Sequence, residues 1–265
     1  MPRRPSRPTA GSIHALWDAL ADFPAPRGDA ALTHLKKAVC QWVGADSAFW
    51  VGVVRVATGG AARRDPLHGW RARAAVHTRR NIDSASLARQ GMRQQDTDPP
   101  MTSCALTAGA GTFRARTMHD GLLDLAAFRR TAHYRVFYQA LGVKDRMWVV
   151  APVNSDAESY LVFDRVTSRR RFSAADATLA GRALRGIKWF HRQVLLSHGL
   201  PVAQEPLSPA QRRVLLLLLG GQPEKGIARE LGLSAGTVHQ YTVEVYRKLG
   251  VKGRAELAAL WLGGW

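Results

Sequence analysis

The chain has 265 residues, 46% of them hydrophobic, which is enough to bury a core in each of two domains. Residues 1–11 are rich in Arg and Pro but have no apolar run of signal-peptide length, and no stretch is long enough to cross a membrane. The two cysteines, Cys40 and Cys104, lie far apart, which argues against a disulfide framework and a thiolate metal site. We therefore expect a soluble cytoplasmic protein without a cofactor.

The charge balance favours a polyanionic partner such as nucleic acid. The 38 Lys and Arg residues against 20 Asp and Glu residues give a formal net charge of +18, and each neutralised phosphate would release a condensed counterion. From Leu207 onward there are eight basic and four acidic residues, so +14 of the +18 lies upstream. Charge alone therefore does not locate a nucleic-acid site.

The first part of the chain mixes helix and strand patterns after a basic arm at residues 1–11, which we expect to be disordered. Helical patterns occur at Ser12–Asp22, Ala30–Val43, Leu87–Gln95 and Phe128–Leu141. Strand patterns occur at Ala48–Ala57 and Trp70–His77, around a turn at Gly59 and Gly60, and at Met147–Val153 and Tyr160–Val166, around the polar turn Asn154–Ser159. The last pair predicts a hairpin.

A long helix is predicted to close this part of the chain. Ser173 and Asp176 form a capping-box pattern, and apolar residues then recur at helical spacing from Leu179 through Val194, up to Gly199. Helices at both ends of several antiparallel strands predict an α+β sensor domain of the GAF or PAS type over residues 12–200. A short linker, residues 201–206, follows.

In the last 59 residues, 207–265, capping residues, prolines and glycines mark where several helices begin and end. Ser208 is placed as an N-cap with Pro209 at the first helical position, and Gln211 completes a capping box. Gly220 and Gly221 end this helix, a second runs from Pro223 to Gly232, a third from Ser234 to Leu249, and a fourth covers Arg254–Leu262. The pattern predicts an all-α unit of four helices.

Three residues at fixed offsets indicate a helix-turn-helix: Ala228 where helices cross, Gly232 in the turn, and Val238 anchoring the third helix. The alternative is a helical bundle that does not touch DNA. On the third helix, one face carries Val238, Thr242, Val245 and Leu249, and the opposite face carries Gly236, His239, Gln240, Val243 and Arg247. The mixed chemistry of the second face suits base edges better than plain solvent exposure, which usually brings Lys and Glu pairs.

This segment resembles the C-terminal helix-turn-helix domain of the LuxR family of bacterial regulators. The resemblance rests on LSPAQRRVL, GIARELGLS, TVHQYTVEVYRKLGV and RAELAALWL, and covers the last quarter of the chain. It implies that the third helix enters the major groove and that His239, Gln240 and Val243 contact bases. It also implies that Tyr241 faces the backbone and that Thr237, Arg247 and Lys248 contact phosphates.

The chain departs from the family pattern at three positions. Gln211 and Gly226 stand where the family usually has acidic residues, and His239 stands where lysine is common. A glycine inside a helix costs roughly 1 kcal/mol relative to alanine. We therefore expect a different sequence preference and a weaker attraction to phosphate.

The N-terminal region resembles, more loosely, the GAF-like sensor regions of LuxR-type regulators, through FRRTAHYRVFYQALGVKDRMWVVAPVN, SYLVFDR and the long helix. Acyl-homoserine-lactone sensors are the rival: Asp65-Pro66 matches their Asp-Pro pair, but their Trp and Tyr spacing is absent. Strand aromatics could line a ligand pocket or form the core: Trp50, Trp70, Trp148, Tyr160 and Phe163.

We therefore hypothesise a sequence-specific transcriptional regulator that binds double-stranded DNA as a homodimer and has a possible small-molecule effector. The family places the dimer contact on the fourth helix, which carries Ala258, Leu260 and Trp261. Three alternatives stay open: an autoinducer-binding regulator, an architectural DNA binder and a catalytic N-terminal domain. For the last, the candidate side chains lack any catalytic or metal-binding spacing: Cys104, His119, Asp120 and His133.

Overall fold

The computed structural model describes residues 8–77, 101–200 and 206–263. The chain divides into two compact units. Unit 1 contains residues up to Leu16 together with Leu35–Lys188, and unit 2 contains Trp17–His34 together with the chain from Trp189 on. This grouping differs from the predicted domains 12–200 and 207–265, because it assigns Trp17–His34 and residues 189–200 to the helix-turn-helix unit.

Unit 1 is built on one antiparallel sheet. Its strands are β1 (Ser47–Arg55), β2 (Trp70–His77), β3 (Arg114–Thr117), β4 (Asp145–Pro152) and β5 (Ala157–Arg165). They lie in the order β2-β1-β5-β4-β3, so that the first and last strands of the chain are neighbours. The predicted antiparallel sheet with helices is therefore confirmed at the level of architecture.

The helices of the chain before residue 200 are short or of moderate length. They are α1 (Ala10–Ala21), α2 (Gly28–Val43), α3 (Gly59–Arg64), α4 (Thr102–Thr107), α5 (Leu125–Phe128), α6 (Ala132–Tyr134), α7 (Ala174–Arg185) and α8 (Lys188–Ser197). A 3₁₀ turn occupies Ala25–Arg27 and a π-helical turn Arg135–Gln139. Within the described residues, no helix is both long and apolar enough to span a bilayer.

The two faces of the sheet carry different aromatic residues, and the strands β4 and β5 are buried on both faces. Because successive strand residues point to opposite faces, Trp50 lies across the sheet from its neighbours Phe49 and Val51. The Nε1 atom of Trp50 donates a hydrogen bond of 2.8 Å to Ser159 Oγ. Helix α7 packs against β3 and β4, and Gly181 permits this approach, since a Cβ there would lie 3.4 Å from the Ala115 Cβ.

Several predicted elements before residue 200 need correction. The helix Phe128–Leu141 is instead α6 and the π-helical turn, following α5. The Thr131 side chain accepts a hydrogen bond from Tyr134 N and so starts a new turn. The long helix ending at Gly199 is two helices, α7 and α8, separated at Gly186 and Ile187, where glycine weakens the helix. The turn at Gly59 and Gly60 is the beginning of α3.

Other predictions agree with the structure or fall outside it. The strand Trp70–His77 has the predicted bounds, and the β4–β5 hairpin is present with a shorter turn than predicted. Helix α1 begins at Ala10, inside the predicted basic arm. The predicted helix Leu87–Gln95, residues 1–7 of the arm and residues 201–205 of the linker lie outside the described residues.

Unit 2 contains the four predicted C-terminal helices: α9 (Pro209–Leu219), α10 (Glu224–Leu231), α11 (Ala235–Leu249) and α12 (Arg254–Leu262). One buried cluster joins them, with members from every helix: Val214, Leu215, Leu218, Ile227, Val238, Val245, Leu249, Leu257 and Leu260. On α9, Arg212 forms an ion pair with Asp29 of α2. A shared apolar core therefore fixes the orientation of α11.

Candidate nucleic-acid interface

Local capping interactions determine where the helices of the interface begin and end. Ser208 and Gln211 form a complete capping box at the start of α9, and Ser234 caps α11 through Thr237 N. Gly232 adopts a φ of 65°, a left-handed conformation that lets the chain turn from α10 into α11. The turn therefore has the geometry that the sequence predicted.

Helix α11 has one buried and one exposed face. Val238, Thr242, Val245 and Leu249 are all buried in the core. Gly236, His239, Gln240, Val243 and Arg247 are exposed, and Val243 exposes 51% of its surface. The buried residues fix the helix, and the exposed residues form a continuous surface, which we call the reading surface.

The predicted DNA-contacting residues differ in exposure. His239, Gln240, Val243 and Arg247 belong to the reading surface. The other three, Thr237, Tyr241 and Lys248, are half-buried beside it. Tyr241 packs against the apolar core of the unit, and the Thr237 hydroxyl lies 2.8 Å from Ser234 Oγ.

Two polar residues of the reading surface are held by neighbouring carboxylates. His239 Nδ1 lies 3.2 Å from Glu224 Oε2 at the start of α10. Gln240 Nε2 donates to Glu244 Oε1, one turn further along α11, at 3.5 Å. Neither carboxylate was predicted from the sequence to contact this surface, although the i,i+4 spacing of Gln240 and Glu244 indicates such a pair.

Gln211 connects the N-terminus of α9 to α11. Glutamine at this position, where the LuxR family usually has an acidic residue, therefore has a physical role. Its Nε2 donates to Glu244 Oε2 at 2.6 Å, and its Oε1 accepts from Ser208 N at 3.0 Å and from Lys248 Nζ at 3.1 Å. Glutamate at this position could not donate to Glu244. The Lys248 ammonium, predicted to face phosphate, therefore already has a protein partner.

Two of the three residues predicted to form the dimer contact on α12 pack against the core of unit 2 itself. Leu260 is buried in the core, and Trp261 is half-buried against it. Ala258 is exposed, and Leu262, at the end of the helix, exposes 83% of its surface. The exposed part of α12 is therefore the side that carries Ala258.

A cavity of about 170 Å³ lies on one face of the sheet in unit 1. Trp70, Trp148 and Tyr160 line it. These are three of the strand aromatics that the sequence offered as pocket or core residues. Trp50 and Phe163 are fully buried on the opposite face and belong to the core. The alternation of strand residues separates the two groups, but the sequence alone did not show which face is hollow.

The side chains considered for catalysis are spread over different environments. His119 lies 3.3 Å from Asp145, Asp120 is paired with Arg116, and His133 lines the cavity. Burial raises the pKa of the Cys104 thiol, and burial also raises the pKa of Cys40, to about 12. Neither environment favours a thiolate nucleophile.

Comparison with known proteins identifies the C-terminal segment. The family model for bacterial regulatory proteins of the luxR family matches residues 205–261. These residues form a LuxR-type helix-turn-helix domain. The transcriptional regulatory protein UhpA of Escherichia coli strain K12 is 44% identical over 62 residues, which cover 23% of this chain and 32% of UhpA. The chain thus spans about a third of this relative's length.

Two further similarities extend beyond the LuxR-type domain. A putative HTH-type transcriptional regulator of Aeromonas salmonicida, from the exeN 3' region, is 28% identical over 189 residues, 62% of this chain and 93% of that protein. The structure of SdiA in complex with octanoyl-rac-glycerol is 14% identical, with a TM-score of 0.49 over 96% of this chain and 95% of SdiA.

Proposed function

We propose that this chain is a sequence-specific transcriptional regulator that reads DNA with α11. The observation that carries the proposal is the division of this helix into a buried apolar face and an exposed face of mixed chemistry. The major groove of B-DNA, about 12 Å wide, admits one α-helix and presents donors, acceptors and methyl groups. The reading surface offers an imidazole, an amide, an isopropyl group and a guanidinium, which complement these groups.

The seven residues divide by role in this proposal. His239, Gln240 and Val243 contact base edges, because they lie on the exposed face of α11 nearer its N-terminus than Arg247. Thr237, Arg247 and Lys248 contact phosphates, and Tyr241 lies toward the backbone. An ammonium group has three donors. Lys248 donates two hydrogen bonds, to the Gln211 side chain and to the Pro206 carbonyl. One N–H donor is left for a phosphate.

We further propose that the protein acts as a homodimer on double-stranded DNA. A single reading helix covers few base pairs, so two copies on adjacent half-sites increase specificity. The exposed side of α12 at Ala258 supports a two-fold contact, because Leu262 adds exposed apolar surface at the end of the same helix.

Unit 1 is proposed to be a GAF- or PAS-like sensor rather than an enzyme, within a cytoplasmic regulator. Its antiparallel sheet and the cavity on one sheet face support this role. The environment of Asp65 argues against the alternative of an autoinducer-binding regulator. Its carboxylate accepts hydrogen bonds from Leu67 N, Gly69 N and the Arg71 guanidinium. That carboxylate stabilises its own loop instead of facing the cavity.

Selection from a pool of random duplexes tests the proposal on the full chain. We expect enrichment of a short motif, present as two half-sites, and loss of this enrichment in the H239A/Q240A variant. Retained enrichment in that variant would contradict the assignment to α11. Equal affinity for all duplexes would contradict sequence-specific binding and indicate an architectural DNA binder.

A further inference from the structure

A hydrogen-bonded row of side chains connects the N-terminus of α9 to the reading surface. At its inner end Gln211 is buried, with 6% of its surface exposed, and at its outer end Gln240 is fully on the surface of α11. Glu244 is half-buried between them, and its Oε2 accepts from Gln211 while its Oε1 accepts from Gln240. An exposed glutamine is therefore linked through one carboxylate to a buried one.

The direction of every hydrogen bond in this row is fixed by its first donors. The Ser208 backbone N–H and the Lys248 ammonium can only donate, and both bond Gln211 Oε1, at 3.0 and 3.1 Å. The Nε2 atom of Gln211 therefore faces Glu244 as a donor, at 2.6 Å. Because a carboxylate only accepts, Gln240 turns its NH₂ group and not its carbonyl toward Glu244 Oε1.

This orientation decides which groups Gln240 offers to DNA. A side-chain amide has two N–H donors and one carbonyl acceptor. Glu244 accepts from the NH₂ group and so occupies one of the two donors. Gln240 is left with one N–H and its carbonyl oxygen, one donor and one acceptor on the same small planar group.

Adenine is the base that matches this pair of groups. In the major groove adenine presents the N7 acceptor beside the N6 amino donor, whereas guanine presents two acceptors. Cytosine presents one amino donor, and thymine presents one acceptor beside a methyl group. Guanine needs two donors, of which Gln240 has one left, and cytosine and thymine each allow one hydrogen bond. Adenine alone allows two.

We propose that Glu244 is a positioning residue that makes Gln240 read an adenine in the bound DNA site. The adenine N6 amino group donates to Gln240 Oε1, and Gln240 Nε2 donates to adenine N7, while its other N–H stays on Glu244. This inference rests on the proposed reading of DNA by α11 and names the base that one of its residues recognises.

The substitution E244Q should change the base that is read. Gln211 still donates to position 244, so the remaining oxygen of the new amide faces Gln211 and its NH₂ group faces Gln240. The Gln240 carbonyl then turns toward this NH₂ group, and both of its own N–H donors become free for two acceptors, as guanine presents. We expect the preference for adenine over guanine at this base pair to fall about tenfold or more.

Selection from a pool of random duplexes with the full chain and its variants measures this preference. Q240A identifies the base pair that Gln240 reads, because the preference disappears there. E230Q is the matched control: it removes the same charge from α10, where Glu230 accepts from Gln222 at 2.8 Å, and it should leave the adenine unchanged. Weaker binding of E244Q to all sites without a change of base would overturn the positioning role of Glu244.

The contact itself is tested atom by atom with 7-deazaadenine, which lacks the N7 acceptor and keeps the N6 amino group. Placed in the selected site, it should weaken binding of the full chain about three- to tenfold and should not weaken binding of Q240A. An equal loss in Q240A would refute the contact between Gln240 and N7.

The remaining outcomes separate this inference from the proposed function. A selected site in which Q240A changes the preference for a base other than adenine would overturn the inference and leave the proposed function supported. A pool without any enriched site would contradict the proposed function, and the inference with it.

Discussion

The reading surface and the cavity present polar groups in opposite settings. On α11, His239 and Gln240 are exposed and each already has a carboxylate neighbour. In the cavity wall, Arg146 is buried and donates two hydrogen bonds to Asp164, at 2.6 and 2.9 Å. Water satisfies an exposed polar group at little cost, whereas a buried one depends on its protein partner. Loss of a partner should therefore cost little stability on the reading surface and much more in the cavity wall.

Two arginines test this contrast most strongly. Arg146 is buried and paired with Asp164, whereas Arg247 is exposed on α11. The substitution R146M leaves the Asp164 carboxylate buried without its partner and should lower the free energy of unfolding of unit 1 by about 3–5 kcal/mol. Urea titration followed by tryptophan fluorescence measures the change.

R247M is the matched control for this prediction. It should change the free energy of unfolding by no more than about 0.5 kcal/mol, while it weakens binding to every duplex and reduces the salt dependence. Similar stability losses in the two variants would contradict the contrast between a buried pair and an exposed reading residue.

Gln211 allows a second test, at the junction between α9 and the reading helix. Q211E removes the amide that donates to Glu244 and places two carboxylates in contact, so we expect a loss of roughly 1–3 kcal/mol in stability. The Q211E/E244Q double variant restores one donor and one acceptor and should recover most of this loss. Thermal unfolding of the four variants of this cycle measures the coupling, and additive losses would argue against it.

Gly226 offers a smaller effect of opposite sign. It lies inside α10, and a Cβ there would meet Pro223 Cδ at 3.5 Å, an ordinary contact. G226A should therefore stabilise the unit by up to about 1 kcal/mol. The control G250A should destabilise it, because Gly250 has a φ of 67°. A lower melting temperature of G226A would show that close packing requires a glycine at this position.

The smallest expected effect concerns pH and the cavity. Since the pKa of His133 is about 4 in the folded state, this side chain is neutral in the folded protein near pH 7. Unfolded histidine titrates near 6.5, so the stability due to neutral His133 is present above that pH and is lost as the pH falls toward 4. H133F should reduce this acid-induced loss in urea titrations from pH 7 to 4.5, and an unchanged profile would contradict it.

Much of unit 2 could be predicted from the sequence because its signals are local. Ser208, Ser234 and Gly250 each specify a helix end through contacts within a few residues. The periodicity of α11 then separates its two faces, as with buried Val238 and exposed Val243. The hydrogen bond between Lys248 and Gln211 connects two helices and residues 37 positions apart. No local sequence pattern specifies such a contact.

The cavity could not be predicted because it depends on distant pairings. Alternation placed Trp148 and Tyr160 on strands, but their common face with Trp70 arises from the strand order β2-β1-β5-β4-β3. The short strand β3 and helix α4 carried no clear periodic signal over their four and six residues. Chain periodicity also missed the division between α7 and α8, where Gly186 interrupts a continuous apolar pattern.

The most direct test of the central claim compares two glutamines of unit 2. Gln240 lies on the reading surface, and Gln222 lies in the turn before α10, where it bonds Glu230. The full chain and its Q240A and Q222A variants are titrated with the selected site and a scrambled duplex at several salt concentrations. We predict that Q240A loses roughly 1–3 kcal/mol of binding on the selected site alone, while Q222A changes neither. Equal losses of Q240A on both duplexes, or no loss on either, would contradict base reading by α11.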